Sequence, residues 1–97
     1  MPKRYPPLTP AEVITILLAR GFILDRTRGS HNYYNGRVRG RLRHVTVSAH
    51  YAEFSMERIQ DMIAQSGLTR DEFYGSTRES ARKINLRADG YPIPLVE

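Results

Sequence analysis

The chain has 97 residues, no cysteine, 15 Lys/Arg against 10 Asp/Glu and a mean hydropathy of −0.49. Its length suits one domain with a thin core, and the lack of cysteine excludes disulfides, thiolate nucleophiles and cysteine-based zinc sites. No apolar run approaches the roughly 18 residues of a membrane span, and Lys3-Arg4 is followed by prolines rather than a signal-peptide core, so no membrane association and a cytoplasmic location are expected.

Residues 1–8 read as a proline-rich lead-in. Thr9-Pro10-Ala11-Glu12 starts a helix, with Thr9 as cap, Pro10 at the first helical position and Glu12 closing a capping box. Leu8 and Val13 stand at the positions of a hydrophobic staple. Val13, Ile14, Leu17 and Leu18 form an apolar stripe and Gly21 a stop, which predicts a helix over about 10–20. Phe22 to Thr27 predicts a strand, Arg28-Gly29-Ser30 a turn, and His31-Asn32-Tyr33-Tyr34 a second strand. Asn35-Gly36 is a strong tight-turn dipeptide, with Gly40 a rival position for a turn or bulge.

Arg43 to His50 alternates as a third strand. Val45, Val47 and Ala49 take one face; His44, Thr46, Ser48 and His50 take the other. Ser55 caps a second helix over about 56–66, with Met56, Ile59, Met62 and Ile63 inward and Gly67 as the stop. Thr69-Arg70-Asp71-Glu72 is another capping box, starting a short helix that carries Phe73 and Tyr74 inward. Thr77 to Ala88 reads as helical, and Tyr91 to Val96 as extended, because Pro92 and Pro94 exclude helix. The order α-β-β-β-α predicts an α+β fold of two layers: a three-stranded antiparallel sheet with helices on one face. That domain covers 1–75, and 76–97 form a helical and extended C-terminal tail.

The charge is uneven. Residues 1–50 carry nine basic and two acidic side chains, and residues 51–97 carry six and eight. Thirteen of the fifteen basic residues are arginine, whose planar fork meets phosphate with two parallel hydrogen bonds. Arg26, Arg28, Arg37, Arg39, Arg41 and Arg43, interleaved with His31, Tyr33 and Tyr34, form the pattern of a nucleic-acid surface. Such arginines also keep sheet edges soluble, and an acidic protein would meet the same field. Tyr33 and Tyr34 point to opposite faces, so one belongs to the core and at most one offers a base-stacking platform. Glu53, Glu57 and Asp61 read as a solvated helix face.

Chemistry must come from few groups. His31, His44 and His50 come first, because an unperturbed imidazole changes charge near neutral pH, and they lack the spacing of a helical zinc pair. No phosphate-cradling P-loop and no G-x-S-x-G elbow is present. His31 follows Gly29-Ser30 beside Arg26 and Arg28. Gly29 allows close approach of a phosphate to backbone N–H groups, and Ser30 reads either as a positioning hydroxyl or as a turn former. A histidine so placed reads either as a proton-transfer group toward a ribose hydroxyl or leaving oxygen, or as an ordinary strand-edge residue. His50 ends the third strand near the second helix and is a secondary candidate.

These residues carry a resemblance. Leu8-Thr9-Pro10-Ala11-Glu12-Val13-Ile14, Gly21-Phe22, Arg28-Gly29-Ser30-His31, Val45-Thr46-Val47 with His50, Ile59 to Ile63, Ser66-Gly67-Leu68 and Glu72-Phe73 resemble, in this order and spacing, the HicA (YcfA-like) toxins of type II toxin–antitoxin systems. The likeness covers about 8–74. Ser48-Ala49 stand before His50 where the family often has a proline, and 51–55 lack its common Lys-Gly pair. The resemblance implies a double-stranded-RNA-binding-domain-like fold and a ribosome-independent endoribonuclease acting on single-stranded or structured mRNA in stress responses. It also implies neutralisation by a HicB-like antitoxin, and His31 as the catalytic residue. No metal and no cofactor are expected. RNA contacts are expected from Arg26, Arg28, Gly29, Ser30, Arg37, Arg39, Arg41 and Arg43. The rival readings are a non-catalytic RNA-binding module and a protein-interaction domain of the same fold.

Overall fold

The computed structural model of the chain describes residues 4–96; Lys3 of the basic N-terminus and Glu97 of the tail lie outside them. Helix α1 spans Pro10–Ala19. Its capping box forms as predicted: the Glu12 N–H donates to Thr9 Oγ1 at 3.2 Å and the Thr9 N–H donates to the Glu12 carboxylate at 2.8 Å. The buried stripe is Val13, Ile16 and Leu17, whereas Leu18 is 55% exposed. Residues 16–19 are all apolar, so periodicity alone does not choose which of them faces the sheet.

Strands β1 (Ile23–Arg28), β2 (His31–Val38) and β3 (Arg41–Ser48) form one antiparallel sheet in that order. The expected turn at Asn35-Gly36 does not occur; β2 runs through both residues. The turn is Arg39-Gly40, with φ of 52° and 79°, the two positive values that a two-residue type I′ hairpin needs. Gly36 serves another purpose. A Cβ there would lie 2.6 Å from Cγ of the buried Phe22 ring, so the glycine lets that ring lie flat on β2. Gly36→Ala is therefore expected to cost about 1–3 kcal/mol by overpacking. Gly90→Ala, where a Cβ meets nothing within 4 Å, serves as the neutral control in urea unfolding.

Moving the turn also moves β3, which starts and ends two residues earlier than expected. Val45 and Val47 are buried as the alternation required, but Ala49 lies past the strand and is exposed. Helix α2 spans Met56–Ser66, with Gly67 in the left-handed region at its end. It buries Ile59, Met62, Ile63 and Ser66, and leaves Met56 about half exposed. Helix α3 (Arg70–Tyr74) carries the second capping box and buries Phe73 and Tyr74 completely. The Tyr74 hydroxyl donates to the Pro6 carbonyl at 2.7 Å, and burial holds that phenol well above its ordinary pKa.

Helix α4 (Arg78–Arg82) is shorter than predicted. The chain reverses at Asn85, with φ 55°, and 91–96 run without regular structure. The tail is nonetheless bound to the rest. Ser76, Ser80 and Ala81 are buried, and Ile84 and Leu95 pack against the core. Arg20 at the end of α1 donates to Ser76 Oγ, the Glu72 carbonyl and the Ile93 carbonyl at 2.6–2.9 Å. Among the described residues no helix is long and apolar enough to cross a membrane.

Candidate functional site

The pleat sorts the sheet residues into two sets. Tyr34, Gly36, Val38, Val45 and Val47 are buried under the helices. His31, Tyr33, Asn35 and Arg37 take the other face, registered to Ser48, Thr46, His44 and Leu42 of β3. Arg26 and Arg28 of β1 are the partners of Tyr33 and His31. The Arg26 guanidinium lies 4.9 Å from the Tyr33 ring centre, and the His31 ring centre is 6.5 Å from it. Of the two tyrosines, Tyr34 belongs to the core and Tyr33 to the open face. His44 is held apart, its Nδ1 2.6 Å from Asn35 Oδ1.

The arginine cluster divides. Arg37 and Arg41 are exposed. Arg39 turns inward: its guanidinium donates to the Val96 carbonyl at 2.7 Å, the Gly67 carbonyl at 2.9 Å and the Glu72 carboxylate. Arg43 pairs with Gly36 on the helix side, and its buried Nε would lie 2.5 Å from a Cβ on Gly67. Arg39 is thus engaged in the fold, Arg43 is half-buried with its Nε unpartnered, and Arg37 and Arg41 are the exposed arginines of the hairpin end whose side chains make no hydrogen bond among the described residues. Spacing cannot separate these roles, because the run puts arginines on both faces and in the turn itself. Burial works against ionisation of Glu72, yet Arg39 and the Thr69 and Val96 N–H groups hold its carboxyl below the ordinary range.

A cleft of about 400 Å³ opens where the end of β3 meets α2. Gly29, with φ 60°, makes the β1–β2 turn so tight that His31 is the first residue of β2 and stands against Ser48, the last of β3. His50 follows two residues on. Both histidines line the cleft, with Ser30, Ser48 and Tyr51. The opposite wall is α2, through Arg58, Asp61 and Gln65. Gln65 holds that wall in place by accepting from the Thr46 N–H at 3.1 Å on the outer edge of β3. Tyr51 is gripped between two cleft residues: Arg58 lies 4.1 Å from its ring centre and His50 meets it edge-on at 5.3 Å.

The cleft therefore offers two imidazoles, a guanidinium, a carboxylate and several hydroxyls. That set can move protons and meet an anionic centre. Tyr51, Arg58, Asp61 and Gln65 are the members that sequence reasoning missed. Arg58, Asp61 and Gln65 share the polar side of an amphipathic helix, a side that ordinarily meets water, and only the β3 edge turns it into a wall. Among the described residues no three His, Asp or Glu side chains gather as a metal site. Comparison of the chain with protein-family models, with curated proteins and with solved structures finds no match.

Proposed function

We propose that this chain is an endoribonuclease of the HicA type that cuts mRNA in the cytoplasm and is neutralised by a HicB-like antitoxin. The observation that carries the reading is the meeting of His31 and His50 in one cleft beside an open face bearing Arg26, Arg28, Tyr33 and Arg37. The element order α1-β1-β2-β3-α2 supports the double-stranded-RNA-binding-domain-like assignment. The sheet arginines hold backbone phosphates, and Tyr33 stacks a base.

One imidazole takes the proton of a ribose 2′-hydroxyl as its oxygen attacks phosphorus. The other gives a proton to the 5′-oxygen as the P–O5′ bond breaks, leaving a 2′,3′-cyclic phosphate and a 5′-hydroxyl end. His31 carries the first assignment of a catalytic role, from the resemblance and its position; His50 is its partner in the cleft. Arg58 meets the charge on the phosphorane. Every step is a proton transfer or a displacement at phosphorus, so cleavage of a single-stranded RNA is expected to persist in excess EDTA and to give those two ends. End-group analysis by phosphatase and kinase treatment checks this.

A second reading is a non-catalytic RNA-binding module. It draws on the two rings themselves: among the described residues neither His31 nor His50 has a side chain hydrogen-bonded to its imidazole to orient it. Binding without cleavage at every pH tested would establish that reading and overturn the first.

A further inference from the structure

The positive charge that lies outside the sheet is also organised. Arg78 and Arg82 stand one turn apart on α4, on one face of the helix. The reversal at Asn85 brings the following loop back. The Tyr91 hydroxyl fixes that loop, accepting from the Ala88 N–H at 3.1 Å and donating to the Leu86 carbonyl at 3.0 Å. Arg78, Arg82, Arg87 and Tyr91 together line a concavity of about 510 Å³, inside the roughly 300–1,000 Å³ range of ligand sites.

Its chemistry is one-sided. Three arginines line the concavity and no acidic residue does. Arg20, Arg39 and Arg70, by contrast, each hold carbonyls or carboxylates. Among the described residues Arg78, Arg82 and Arg87 make no ion pair. Like charges gathered without a counter-charge repel one another, and an anion relieves that repulsion. Guanidinium forks match phosphate oxygens best. Arg78 lies 6.0 Å from the Tyr91 ring centre, so a flat aromatic wall stands beside the charge, as in sites that take nucleotides.

We infer that Arg78, Arg82 and Arg87 form a second phosphodiester-binding site in the tail, which holds the backbone of the same RNA away from the cleft. This inference rests on the RNA reading above. It gives the tail a role in the length of RNA that the protein grips.

The test is binding of a fluorescein-labelled single-stranded RNA of about 20 nucleotides, followed by anisotropy from roughly 50 to 200 mM salt. Wild type is set beside R78Q/R82Q/R87Q, the charge-retaining R78K/R82K/R87K, and the sheet-face variant R26Q/R28Q/R37Q. All nine substitutions are at partly or fully exposed side chains, and circular dichroism checks the folds. The glutamine tail variant is expected to bind about tenfold more weakly, with a log–log salt slope shallower by about 2, at about 0.7 per phosphate contact on a single strand. The lysine variant is expected to keep most of the slope. A glutamine tail variant that matches wild type, while the sheet-face variant weakens, overturns the tail site and leaves the RNA reading standing. A wild-type protein that binds no RNA overturns both.

Discussion

Replacing His31 with alanine is expected to lower RNA cleavage by about 10²–10⁴-fold, the range of a lost proton-transfer group, while RNA binding stays near wild type. His31 is exposed at the first position of β2, so truncation opens no cavity and the sheet register does not depend on its side chain. The phosphate grip proposed for Arg26, Arg28 and Arg37 is expected to remain. His50→Ala is expected to lose activity as well, and the double variant to lose little more than the stronger single, since the proposed mechanism uses both rings in one step. Cleavage that needs one imidazole as base and the other as acid is expected to show a bell-shaped dependence on pH. Single-turnover rates from about pH 5 to 9 read that shape; a flat profile, or His31→Ala activity equal to wild type, removes His31 from the mechanism.

The second large effect is on stability. Glu72 is 1% exposed, yet its carboxylate joins three parts of the chain. It accepts from Arg39 of the β2–β3 turn, from the Thr69 N–H at 2.9 Å and from the Val96 N–H of the tail at 2.7 Å. Glu72→Ala leaves the Thr69 and Val96 N–H groups without their acceptor and Arg39 without its counter-charge, with only its two carbonyl partners. Breaking a buried pair costs about 3–5 kcal/mol. The lower end is expected because Arg39 keeps 31% exposure and water screens its charge. Thermal unfolding of a domain this size then falls by on the order of 10–20 °C.

The pH dependence follows from the depressed carboxyl of Glu72. A carboxyl whose folded pKa lies below its unfolded value of about 4.3 contributes stability that is complete above the unfolded value. That contribution is lost as pH falls through the folded one. Glu72→Gln should therefore melt well below wild type at pH 7, and the gap should narrow as the pH drops below about 4. A gap unchanged from pH 7 to pH 3 would show that the charge of Glu72 contributes nothing and that shape alone matters.

Local signals were legible where they are short in range. The two capping boxes at Thr9 and Thr69 and the glycine stop at Gly67 each involve residues within one turn. The hairpin turn lies at Arg39-Gly40 and not at Asn35-Gly36, because the turn signature of that dipeptide is overridden by its tertiary partner. The Phe22 ring occupies the space a Cβ would need, and that contact is invisible to dipeptide rules. The same is true of the arginines: Arg37 and Arg39 look equivalent in the chain, but a left-handed turn swings Arg39 toward Glu72.

The sequence by itself determined the elements and their order, the alternation that buries Val45 and Val47, and the gathering of arginine in the first half. These depend on periodicity, capping and composition, which act over a few residues. Tertiary structure decided the site. Register set His31 against Ser48 and brought His50 to the same cleft; the β3 edge turned the polar side of α2 into its wall. It also decided which arginines stay free. Those outcomes depend on pairings between distant residues, and such pairings are chosen by the packing of the whole core rather than by any one segment.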